Sequence, residues 1–185
     1  FMKATNTVSG PYDKVVLPKG SQKVDWEIEL GIVIGENASY LKNEKAGGKC
    51  IAGYTIVHDV SERYFQLERS GQWVKGKSAD TYAPFGPYMA TADEVSDPNN
   101  LNLWLKLNGK KIQDSTTADF IYNVQHVISY LSEFMTLLPG DVISTGTPAG
   151  VGLGFDPPLY LKAGDVVELG IDGLGTQKQT AVKEQ

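Results

Sequence analysis

The chain has 185 residues, with 17 lysines and arginines against 22 aspartates and glutamates, for a net charge of −5. That length is one ordinary domain, and the acidic balance argues against nucleic acid as the main partner. The lone cysteine, Cys50, excludes an internal disulfide framework and a thiolate zinc cluster, and no apolar run approaches the roughly 18–20 residues of a membrane span. The expectation is a soluble, cytoplasmic domain without a signal peptide. Phe1-Met2-Lys3-Ala4 has no methionine at position one, which reads as a start inside something longer.

Twenty glycines and nine prolines divide the chain into short segments. Lys14 to Leu17 reads as a strand closed by Pro18-Lys19-Gly20. The run from Val24 to Leu30 alternates and flows into Gly31 to Gly35. Gly53 to Val60 is apolar and β-branched, and a short helix is expected after Asp59, through Glu62 to Arg69. Leu101 to Leu107 alternates before an Asn108-Gly109 turn. Apolar residues three or four apart from Phe120 to Leu138 predict one long helix over Ala118 to Leu138, stopped by Pro139-Gly140. Strands follow at Asp141 to Thr145 and Val166 to Ile171. There is no repeat or linker, so residues 1–185 read as one domain, mostly β with a few helices.

Glu27 and Glu29 are one residue apart in an alternating run. In a strand both carboxylates take one face, about 6.5–7 Å apart, with Asp25 beside them and Trp26, Ile28 and Leu30 opposite. Such a row either faces solvent or surrounds a cation, and oxygen ligands select Mg²⁺, Mn²⁺ or Ca²⁺ over zinc. Asp59, at the end of an apolar run, is placed either to complete such a site or to cap a helix. Arg63 and Gln66 follow on one helical face, as pocket residues or as partners of Glu62 and Glu68. Lys77 sits in a tight stretch between glycines and prolines, where its ammonium either meets solvent or neutralises a carboxylate or enolate. The loop Thr145-Gly146-Thr147-Pro148-Ala149-Gly150-Val151-Gly152 can offer N–H groups and a hydroxyl to an anion, but it lacks the lysine and spacing of a P-loop. Trp73 and Trp104 read as packing residues, and Cys50 has no assigned role.

Together, Val24-Asp25-Trp26-Glu27-Ile28-Glu29-Leu30, Gly53 to Ser61, Lys75-Gly76-Lys77-Ser78-Ala79-Asp80 and Pro139 to Gly152 resemble the fumarylacetoacetate hydrolase family in its C-terminal catalytic domain. They come in the family's order and span most of the chain. The resemblance implies a mixed β-sandwich roll, a homodimer, and a Mg²⁺, Mn²⁺ or Ca²⁺ ion held by Glu27, Glu29 and Asp59. It places Arg63, Gln66, Lys77 and Thr147 at the substrate, with Lys77 and Arg63 in catalytic roles. The stretch from Gln72 to Asp80 is most similar to the branch of acylpyruvases, ureidoglycolate-lyase-like proteins and diketo-deoxy-sugar-acid hydrolases.

The implied reaction is hydrolysis of the C3–C4 bond of a 2,4-diketo acid, with release of pyruvate or a similar keto acid through an enolate that the metal and Lys77 stabilise. Isomerase, decarboxylase or lyase chemistry uses the same electronics, and a keto-acid or metal-binding module is the non-enzymatic alternative. A general base is missing from this picture. His58 alternates away from the face of Asp59, and His126 lies off the apolar stripe of its helix. In hydrolytic family members the base, a histidine with a nearby glutamate, sits on an N-terminal lid, which here would lie upstream of Phe1.

Overall fold

A computed structural model describes residues 1–184. In chain order the strands and helices are β1 (Val8–Ser9), β2 (Val15–Leu17), β3 (Val24–Asp25), β4 (Ile28–Ile34), α1 (Glu44–Lys49), β5 (Ile51–His58), β6 (Ser61–Glu62), α2 (Val74–Lys77), β7 (Ala83–Thr91), β8 (Asn102–Leu107), β9 (Lys110–Thr116), α3 (Val124–Leu131), β10 (Val142–Ser144), β11 (Val166–Ile171) and β12 (Gly175–Lys183). Two five-stranded sheets carry the fold, ordered β1-β7-β5-β4-β10 and β2-β12-β11-β8-β9, and β3 pairs with β6 in a small third sheet. Pairing is antiparallel except at β1–β7 and β2–β12, so each large sheet is mixed. This is the mostly β, curled-sheet architecture expected.

The core forms where the two large sheets face each other. Trp26, Ile28, Leu30, Ile32 and Ile34 enter it from β4 and its approach, Tyr54 and Ile56 from β5, Leu103 and Leu105 from β8, and Val167, Leu169 and Ile171 from β11. In β8 the residues between them, Trp104 and Lys106, lie outward, the period-2 pattern of a sheet with one wet face. Trp104 packs on the space left by Gly170, where a Cβ would stand 2.8 Å from its ring. The other face of β4 is buried too, and it carries Glu29, with Glu27 on the approach to the strand.

Several predicted elements are corrected. The long helix is only Val124–Leu131, preceded by a single 3₁₀ turn at Thr117–Asp119. Asn123 supplies the cap, its side chain accepting from the His126 N–H; past Leu131 the chain continues in turns whose last N–H, from Met135, donates to Leu131, and then extends so that Leu137 bridges Ala38. Phe134, Met135 and Leu138, read as part of an inward stripe, are exposed. The helix expected directly after Asp59 begins later, because Ser61–Glu62 is taken by pairing with Val24–Asp25; the helical stretch is confined to one π-helical segment, Tyr64–Glu68. The Asn108-Gly109 turn is present with both residues at positive φ, 49° and 82°, the geometry of a two-residue hairpin. Strands β7 and β12 had no counterpart in the sequence reading. β7 contains two prolines and β12 is mostly polar, so neither carries the usual strand signal.

Candidate metal centre

Strand geometry brings the acidic residues together. Glu29 on β4 pairs with Val57 on β5, and continuing β5 by one alternation reaches Asp59, whose N–H donates to the Glu27 carbonyl at 2.9 Å. Glu27, Glu29 and Asp59 therefore converge from two neighbouring strands, with one carboxylate oxygen from each within 4.8 Å of the others. All three are buried, at 7%, 3% and 1% exposure. The solvated-face alternative is thereby excluded. Asp59 is no helix cap either, since its carboxylate receives two ammonium groups.

Those ammonium groups come from Lys77 and Lys3. Lys77 Nζ donates to Glu27 Oε2 and Asp59 Oδ2, both at 2.7 Å. Lys3 Nζ bonds the other Asp59 oxygen and the Val60 carbonyl. Lys77 stands on the short helix α2 because Gly76 lets that helix pack against the Glu62–Gln66 backbone, where a Cβ would overlap the Glu62 carbonyl. It is 2% exposed, and the ring of Phe1, itself against Trp73 with centroids 5.8 Å apart, lies over its ammonium. Trp73, read as a packing residue, is thus half-exposed and makes its aromatic contact with Phe1.

Arg63 enters from the other side. Its Nη2 donates to Glu27 Oε1 at 2.5 Å, its Nη1 to Gln66 Oε1 at 3.1 Å and its Nε to Asp25 Oδ2 at 2.9 Å. Asp25 is therefore separated from the triad. The strand breaks between Asp25 and Ile28, and the Asp25 carboxylate turns to Arg63 and to the N–H groups of Trp26, Gly152 and Leu153. The glycine-rich loop does offer N–H groups to anions, but these anions are the protein's own. Gly152 and Leu153 serve Asp25, and Gly146 donates to Glu29 Oε2 at 2.8 Å. Thr147 is half-buried, one residue from that contact, and its hydroxyl is bonded by Gln113.

The electrostatics differ sharply within the triad. Burial raises the Glu29 carboxyl to about 8, reinforced by the charges of Asp59 and Glu27; its partners are the Ser144 hydroxyl and the Gly146 N–H, with no cation among the described residues. Burial also lifts Glu27, with Lys77 and Arg63 pulling the other way. For Asp59 burial acts upward as well, but Lys3 and Lys77 overcome it and hold the group below its ordinary value. Burial depresses Lys3 despite its contact with Asp59. A pocket of hard oxygen donors containing a carboxylate without a cationic partner fits a divalent ion of the Mg²⁺, Mn²⁺ or Ca²⁺ type.

Neither histidine faces this centre. His58 lies on the core side, fully buried, with Nδ1 3.0 Å from Gln179 Oε1. Gln179 donates its own amide to Pro11 and Gln177, so its oxygen accepts and the imidazole proton sits on Nδ1. His126 pairs with Glu44 at the surface of α3. Lys3 and Gln113 had no role in the sequence reading. Lys3 meets Asp59 across 56 residues and Gln113 meets Thr147 across 34, and no local pattern announces such contacts.

Residues 1–182 match the family model of the fumarylacetoacetate (FAA) hydrolase C-terminal domain. The chain belongs to the fumarylacetoacetate hydrolase family. Within that family it is 53% identical, over 97% of its length, to the 2,4-didehydro-3-deoxy-L-rhamnonate hydrolase of a Sphingomonas species, of which it covers 63%. The structure superposes on a fumarylacetoacetate hydrolase of Exiguobacterium antarcticum with a TM-score of 0.95 at 36% identity, covering 100% of this chain and 66% of the other. It also superposes on the 2-hydroxyhepta-2,4-diene-1,7-dioate isomerase of Mycobacterium marinum with a TM-score of 0.90 at 38% identity, covering 100% and 68%. The chain thus spans a little under two thirds of the curated family relative and about two thirds of these solved members.

Proposed function

We propose that the chain is the catalytic part of a divalent-metal-dependent hydrolase that cleaves a C–C bond of a 2,4-diketo acid, of the diketo-deoxy sugar acid class, and releases pyruvate or a similar keto acid. The observation that carries this reading is the buried convergence of Glu27, Glu29 and Asp59 with the Lys77 ammonium on two of the three. The identity to a hydrolase of a deoxy-sugar diketo acid supports the substrate class. Glu27, Glu29 and Asp59 are the metal ligands in this reading. A divalent cation held by them supplies Lewis-acid polarisation of the 2-keto oxygen and charge to offset the enolate.

The chain's own groups do the rest. Lys77, rigid on α2, places a fixed ammonium where enolate charge develops. Arg63, oriented by Asp25 and Gln66, supplies a second cation, and Gln66 and Thr147 orient the substrate carboxylate. Water activation needs a base that neither histidine supplies, since His58 is held by Gln179 and His126 by Glu44. The working protein is a cytoplasmic homodimer. Isomerisation of a related keto acid is the second reading, favoured by the likeness to the mycobacterial isomerase.

One assay separates these readings. Pyruvate release is followed from a panel of 2,4-diketo acids, including 3-deoxy sugar acids, with Mg²⁺ and then with EDTA, using this chain and an N-terminally extended protein. Metal-dependent release from the extended protein is expected. Double-bond migration without release would favour the isomerase, and release unaffected by EDTA would remove the metal from the mechanism.

A further inference from the structure

Strand β9 has one fully buried residue, and it is a glutamine. Gln113 is 1% exposed, in a position where the facing strand β8 supplies Leu105 as its pair. Every hydrogen-bonding capacity that its amide group needs is used. Oε1 accepts from the N–H of Ile28, the residue between Glu27 and Glu29, at 3.2 Å. Nε2 donates both hydrogens, to Thr147 Oγ1 and to the Pro148 carbonyl, each at 2.9 Å. The backbone partners fix the amide's orientation, because an N–H can only donate and a carbonyl can only accept.

That orientation has a consequence for Thr147. A hydroxyl carries one donor and two acceptor positions. Because the Gln113 nitrogen donates to it, Thr147 Oγ1 is an acceptor on that side, and its own proton has no acceptor among the described residues. Thr147 is half-buried and next to Gly146, whose N–H is on Glu29. We propose that Gln113 is a positioning residue that commits the Thr147 hydroxyl as an acceptor, so that its proton is presented as a donor to an anionic oxygen of the substrate. This rests on the reading of Thr147 as a substrate contact. The same amide ties the strand of the acidic pair to the loop, so the donor and the ligands keep one register.

The test is a double-mutant cycle on the Mn²⁺-loaded full protein, with oxalate as the probe because it presents the paired oxygens of a pyruvate enolate. Oxalate affinity is measured by calorimetry for the wild type, Thr147→Val, Thr147→Ser, Gln113→Met and the double variant Gln113→Met with Thr147→Val; Mn²⁺ affinity and unfolding midpoint are measured alongside. Thr147→Val is expected to weaken oxalate about tenfold or more, with Thr147→Ser restoring it. Gln113→Met should weaken it similarly, and the double variant should be no worse than Thr147→Val, since coupled residues are non-additive. If Gln113→Met does not fold, Gln113→Asn withdraws the same amide by one methylene and carries the same expectation. Additive losses, or unchanged oxalate affinity in the Gln113 variants, would overturn the proposal while leaving Thr147 a substrate contact. If Thr147→Val itself changes nothing, the substrate reading of Thr147 falls and the proposal with it; a wild type that binds neither Mn²⁺ nor oxalate removes the metal centre as a whole.

Discussion

Glu27, Glu29 and Asp59 are all buried carboxylates, and their neighbours make them different acids. Asp59 has two ammonium groups and Glu27 has Lys77 and Arg63, whereas Glu29 has only a hydroxyl and an N–H. In the metal-free protein Glu29 keeps its proton up to about pH 8. Unfolding restores an ordinary carboxylate, so this group's contribution is full below pH 4.5 and is lost as pH rises towards 8. His58 works in the opposite sense. Burial depresses it to about 4 from 6.5, and its contribution is lost as pH falls from 6.5 to 4. Above pH 6.5 the His58 contribution no longer changes, so the Glu29 contribution should be lost from metal-stripped protein between pH 6.5 and 8, and Glu29→Gln should make the fall shallower in urea melts. The same substitution should weaken Mn²⁺ by at least tenfold in a calorimetric titration, because it removes a charged ligand. Asp25 makes a separate prediction. It satisfies three N–H groups and the Arg63 guanidinium while 0% exposed, so Asp25→Asn leaves a buried cation half-paired and should cost about 3 kcal/mol in a denaturant titration.

Elements place these groups through close backbone approach. The loop from Ser144 to Gly152 lies along β4, with the Thr145 hydroxyl on the Leu30 carbonyl and the Trp26 indole donating to Gly150. Gly150 has φ 104°, and a Cβ there would overlap the Ile112 carbonyl of β9. Gly150→Ala should therefore destabilise the fold by about 1–3 kcal/mol and shift the Thr147 end of the loop, so that oxalate affinity falls together with the melting temperature. The cap of α3 is an independent control far from the acidic centre in sequence. Asn123 accepts from the His126 N–H at 2.7 Å, and Asn123→Ala should cost about 1 kcal/mol with Mn²⁺ affinity unchanged.

At the scale of the whole molecule, folding collects four carboxylates (Asp25, Glu27, Glu29 and Asp59) and three cationic heads (Lys3, Arg63 and Lys77) into one buried network. The network has one negative charge too many for a low-dielectric interior, and the Glu29 proton offsets it when no metal is present. A bound divalent ion would displace that proton and turn the excess positive, which favours an anionic substrate. Binding to the folded state alone adds roughly 2.7 kcal/mol at a hundred times the dissociation constant. Mg²⁺ or Mn²⁺ should therefore raise the melting temperature, and EDTA should reverse it. A scan with no metal-dependent shift would count against the centre.

The alternation of Val24 to Leu30, the β-branched run ending at Asp59 and the Asn108-Gly109 turn were legible because each depends on near neighbours, and period 2 alone puts Glu27 and Glu29 on one face. The family motifs added Arg63, Gln66, Lys77 and Thr147 by position. Helical spacing misled over Ala118 to Leu138, because a stripe of apolar residues cannot say which of them the fold will bury; Asn123 and the Ala38–Leu137 bridge decided that. The sequence could not say whether the acidic strand faced water. Burial came from packing on both sides of β4, with Lys77 of α2, Arg63 and Lys3 set against the acidic groups. Lys3 on Asp59 and Gln113 on Thr147 were also invisible, since contacts across tens of residues exist only once the sheets are assembled. Local periodicity determined which side chains share a face, and the tertiary structure decided which faces meet, which carboxylates lose water, and which of them is left without a cation.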